Sequence, residues 1–201
     1  MYRFASIAAL AAATLLTPAK AHAQSMLQAE AIDDHIDDRN APIACVYRTL
    51  RKNDFPMLVR IVRQGMRGQT ADEKEQVNRI GEAAMRCRQR YGWGKPREDA
   101  ALRYFAGRVL TSNATFELKD FGLTFTKLSE LVARLDAPTR AAYLSGQVSN
   151  DQSRLTLEAL AAVGVDFAAV PEDKRAMFGQ KLSQGIVGLL LQQEARAAFD
   201  A

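Results

Sequence analysis

The chain has 201 residues, with 27 basic and 23 acidic side chains, two histidines and two cysteines. So few histidines exclude an H-E-x-x-H zinc centre, and His35 is the only base left to a hydrolytic triad once the leader described next is removed. No G-x-S-x-G elbow, P-loop or dinucleotide fingerprint occurs, so no residue takes a catalytic role and no cofactor or metal is expected.

Met1–Arg3 carries one positive charge, Phe4–Leu16 is apolar and alanine-rich, Thr17-Pro18 breaks the run, and Ala21-His22-Ala23 has the small-x-small form of a signal-peptidase site. Residues 1–23 therefore read as a cleaved signal peptide, cut after Ala23. The apolar run is too short for a stable bilayer anchor, and no Cys follows the cut to make a lipoprotein. The mature chain of 178 residues keeps 25 bases and 23 acids, a net charge of +2. One domain is expected from that length, in a periplasmic or secreted protein of bacterial style.

Residues 24–40 form an acidic lead-in around Asp33, Asp34, His35, Asp37 and Asp38. Without the glycine and closing glutamate of an EF-hand, it reads as a solvated segment or a partner for a basic helix. Asn40 and Pro42 then open a helix with Ile43, Val46, Tyr47 and Leu50 on its apolar face, and Cys45 lies off that stripe. After Asn53-Asp54 a second helix restarts at Pro56. Leu58, Ile61 and Val62 face inward, and Arg60, Arg63 and Arg67 line the other side until Gly65 and Gly68 end it.

Thr70 to Tyr91 is the most strongly marked helix. Thr70 and Glu73 have capping-box spacing, and Gly92 stands where a left-handed cap belongs. Val77, Ile80, Ala84, Cys87 and Tyr91 share one face. In an exported protein Cys45 and Cys87 are expected to pair as a structural staple. The glycine turn beyond carries Tyr91 and Trp93, which either plug a helix corner or line a sugar-stacking groove. The corner is favoured.

Pro96 opens a helix with Leu102, Phe105, Ala106 and Val109 inside, and Thr111-Ser112-Asn113 reads as its break. Residues 115–121 fit neither period. Leu128, Leu131, Val132 and Leu135 make the next stripe. Asp136 starts a short helix to Leu144, and Asn150 or Asp151 caps one reaching Val163. The last helix runs from Pro171 to about Phe199 with Phe178, Leu182, Ile186 and Leu189 buried, and Gly185 beside that stripe permits close approach. No strand pattern appears. The expected fold is all-α: a compact orthogonal or irregular bundle of about seven to nine helices over residues 41–201, stapled by one disulfide. The weakest candidate for a domain boundary is Ser112–Asn113, where no linker composition supports a split.

Charge is unevenly placed. Residues 24–45 carry a net −4, residues 46–97 a net +8 and residues 98–201 a net −2. Arg60, Arg63, Arg67, Arg86, Arg88 and Arg90 are the candidate binding residues of this basic block. A concentrated positive surface attracts anionic partners. An exported protein points to anionic lipid, cell-wall polymer or an acidic protein, with peripheral membrane contact and no nucleic acid. The plainer alternative is the ordinary solvated side of amphipathic helices. The expected role is a non-enzymatic binding or accessory protein of the cell envelope. The alternatives are an envelope-polymer hydrolase using acids such as Glu98, Asp99, Glu117 and Glu130, or a dimerising structural protein.

Overall fold

The computed structural model describes residues 41–50 and 54–201, so the expected signal peptide, the acidic lead-in and the Asn40 cap lie outside the described residues. Among the described residues there are eight α-helices and no strand. They are α1 (Cys45–Leu50), entered through a 3-10 turn at Pro42–Ala44, α2 (Phe55–Arg63), α3 (Ala71–Tyr91), α4 (Lys95–Leu118), α5 (Phe125–Arg134), α6 (Ala137–Ser145), α7 (Asn150–Ala162) and α8 (Glu172–Asp200).

Helices α2, α3, α5, α6 and α7 start where a side chain satisfies an orphan amide of the first turn. The Asp54, Thr124 and Asp136 side chains accept from the N–H groups of Met57, Lys127 and Thr139. Thr70 and Glu73 form the expected capping box on α3, and Gly92 ends α3 in the left-handed conformation. The cap of α7 is Ser149, in a second capping box with Gln152, one residue before the expected Asn150.

The expected break at Thr111–Asn113 does not occur: α4 runs unbroken from Lys95 to Leu118. Low helix propensity at these residues is overridden by packing. Thr111, Ser112 and Asn113 are all buried. α4 packs along most of its length against α8, and the two run antiparallel. Arg97 Nε donates to the Phe199 carbonyl at one end and Lys181 Nζ to Glu117 at the other. Between these ends the helices come very close. A β-carbon on Gly107 would lie 2.5 Å from the Gly188 carbonyl oxygen, and one on Gly185 would lie 2.9 Å from Ala114 Cβ. Gln192 Nε2 crosses this waist to donate to Thr111 Oγ1 at 2.9 Å and to the Gly188 carbonyl at 3.2 Å.

Large apolar side chains gather on either side of the waist. α1, α2, α3, the first half of α4 and the end of α8 build one core cluster, with Tyr47, Phe55, Ile61, Ile80, Phe105 and Phe199. The end of α4, helices α5 to α7 and the first half of α8 build the other, with Leu118, Leu128, Leu131, Leu160, Phe178 and Ile186. The disulfide forms as expected: Cys45 and Cys87 are bonded and tie α1 to α3 within the first cluster. Trp93 is buried, stacked on Tyr91 at 5.4 Å and edge-on to Phe199 at 5.2 Å, so the glycine turn plugs a helix corner.

Candidate binding cleft and basic surface

The six candidate arginines fall into two groups at opposite ends of α3. Arg60, Arg63 and Arg67 stand near its start, where Arg60 Nε meets the Glu73 carboxylate at 3.3 Å. Arg86, Arg88 and Arg90 lie near its end. The helical rise from Glu73 to Arg88 is about 22 Å, so the fold does not bring the two groups into one patch.

Two of the six hold structure. Glu73 is nearly covered, and its carboxylate accepts from the Gln69 and Thr70 amides and from Arg60. The two amides, with lesser help from Arg60, hold its acid below the usual glutamate value, against the effect of burial. Arg88 pairs with Glu98 at 3.1 Å, and Lys95 with Asp99 at 2.6 Å. Arg90 lies 5.5 Å from the centre of the Tyr91 ring. Arg63, Arg67 and Arg86 are exposed and pair with no acid among the described residues.

Arg63 also borders an open cleft of about 760 Å³. The α2 end forms one wall through Val62, Arg63 and Met66, and the other is formed by Tyr143 of α6 and Val148 of the α6–α7 connection. α4 and α8 supply the floor, with Ala106 and Leu110 from one and Val187 and Leu191 from the other. The volume lies within the range of small-molecule sites. Among the described residues no carboxylate lines the cleft. Its polar side chains among the described residues are Arg63, Tyr143, Gln180, Ser183 and Gln184, and the Gln184 side-chain oxygen is covered without a donor among the described residues. The Tyr143 hydroxyl donates to Thr156 Oγ1 at 3.0 Å, and burial raises the phenol above its ordinary pKa.

A two-residue kink builds the α2 wall. Gly65 and Met66 are both left-handed, at φ 68° and 63°, and Met66 N–H turns back to the Ile61 carbonyl at 2.9 Å. A non-glycine residue in that region is uncommon, and here it sets the methionine against the cleft.

Sequence reasoning did not identify this cleft. A signal for it existed on α8. Gln180, Ser183, Gln184, Val187 and Leu191 recur at helical spacing and form a second stripe beside the core-facing one. Reading two stripes on one helix requires knowing which neighbours leave one of them uncovered.

The acids considered for hydrolysis are dispersed. Glu98, Asp99 and Glu117 are each engaged by a cation, and Glu130 is exposed on α5. Among the described residues no three His, Cys, Asp or Glu side chains gather as metal ligands, and no helix is long and apolar enough to cross a membrane. No protein-family model matches the chain, and comparison with curated proteins and with solved structures finds no significant match.

Proposed function

We propose that this chain is a non-enzymatic binding protein of the cell envelope, contacting an anionic envelope component through the Arg63–Arg67 end of α2. The observation that carries the reading is the placement of Arg63 and Arg67. Both are exposed, neither is matched by an acid among the described residues, and Arg63 stands at the rim of an apolar cleft. Export is supported by the leader pattern of residues 1–23 and is compatible with the Cys45–Cys87 disulfide.

Arg60 belongs to this group by spacing, but it supports the start of α3 through Glu73. The working surface is therefore Arg63 and Arg67, with Arg86 and Arg90 as a separate exposed group at the far end of α3.

The test is co-sedimentation of the disulfide-bonded protein with anionic lipid vesicles and with cell-wall sacculi over a salt series. Binding should fall as salt rises, since exposed charges are screened beyond about 10 Å at 0.1 M. The double variant Arg63→Glu, Arg67→Glu should bind at least tenfold more weakly and lose most of the salt dependence. Binding by the double variant equal to that of the parent would remove this surface from the reading.

A further inference from the structure

We infer that the cleft between the α2 end and the α6–α7 connection is a binding site for a single-chain anionic amphiphile such as a free fatty acid, with the tail on the α4/α8 floor and the acid at Arg63. This deepens the envelope-binding reading and rests on Arg63 being its anion contact.

The chemistry of the lining selects this class. Ala106, Leu110, Val187 and Leu191 make an apolar floor, the surface that a hydrocarbon chain seeks. The α8 stripe that runs beneath the cleft from Gln180 to Leu191 is about 16 Å long at helical rise, so the site is a trough suited to an extended chain. Among the described residues one cation borders it and no carboxylate does, so an acid head group meets a complementary charge there. A neutral sugar would leave the apolar floor unmatched and would not use the charge of Arg63. Ser183 and the Gln180 and Gln184 amides lie along the same α8 stripe, at the end away from Leu191. Met66 lines the α2 wall, and its unbranched, polarisable side chain adjusts to a ligand without a fixed shape.

The experiment is fluorescence titration of the disulfide-bonded protein with cis-parinaric acid, followed by displacement with dodecanoate and with uncharged dodecanol. Saturable binding of one probe per chain is expected, with dodecanoate displacing it about tenfold more effectively than dodecanol. Arg63→Gln should remove that preference. Ala106→Trp fills the floor, and Val148→Trp fills the wall from a partly exposed position on the α6–α7 connection. Each variant whose melting temperature stays at the parent value should lose at least thirtyfold in probe affinity. Absence of saturable binding overturns the inference, as does parent-like affinity in folded Ala106→Trp and Val148→Trp proteins.

The vesicle and sacculus assay run on the same samples separates the two readings. Envelope binding without probe binding ends the cleft inference and leaves the surface reading standing. Probe binding without envelope sedimentation keeps the cleft and ends the surface reading.

Discussion

Glu73 shows how much one side chain carries in this fold. It accepts from the backbone amides of Gln69 and Thr70 and from Arg60, and so joins the α2–α3 connection, the start of α3 and the side of α2. These bonds favour the charged form, so its acid lies below the ordinary 4.5 in the folded protein. A group with a depressed folded pKa adds stability above its unfolded pKa, and that contribution is lost as pH falls through the folded value. Stability should therefore drop on acidification below about pH 4.5. Glu73→Gln should be less stable than the parent at pH 7, and its acid limb should be shallower between pH 5 and 3 by urea titration. An unchanged limb would remove Glu73 from the acid response. Half of this arrangement is legible in the sequence, because the capping box is a spacing rule. The Arg60 contact is not. It depends on the left-handed pair Gly65–Met66, and on Gly68, whose missing β-carbon leaves room for the Lys74 backbone nitrogen 2.5 Å away from where that carbon would sit.

Helices α4 and α8 are governed by what they lack. Gly107, Gly185 and Gly188 let the two backbones approach, and Thr111 and Gln192 close the polar layer between them. A β-carbon on Gly188 would sit 2.6 Å from Thr111 Oγ1 and 2.7 Å from the Gly107 carbonyl oxygen. Gly188→Ala should therefore destabilise the protein by about 1–3 kcal/mol through overpacking, despite the better helix propensity of alanine. Gly179, on the same helix, has nothing within 4 Å of its would-be β-carbon, so Gly179→Ala should gain up to about 1 kcal/mol. Equal effects from the two substitutions in denaturant titrations would contradict the close-packed waist. The amphipathic stripes of α2 and α5, and the core face of α8, follow from residue spacing. Thr111-Ser112-Asn113 does not. Small polar residues mark a loop when solvated and a tight crossing when buried, and only the neighbouring helix decides which.

At the scale of the whole molecule, the all-α class, the Cys45–Cys87 bond and the helix count of eight among the described residues accord with expectations from the sequence. The cleft does not come from pattern, because its lining is drawn from four elements far apart in the chain. The disulfide closes a separation of 42 residues, which the chain-entropy model values at about 4 kcal/mol. Reducing it, or making Cys45→Ser with Cys87→Ser, should lower the melting temperature by about 10 °C for a domain of this size. A shift of less than about 2 °C by calorimetry would show that the bond adds little to the fold.

Because α8 lies in both core clusters and Val187 touches each, neither cluster keeps a complete lining once the other opens. The bond sits in the first cluster alone, yet its loss should be felt by the second through the shared helix. Heat should therefore release the two lobes together, in a single transition whose calorimetric and van't Hoff enthalpies agree. One helix that belongs to both half-cores is what should make their melting all-or-none.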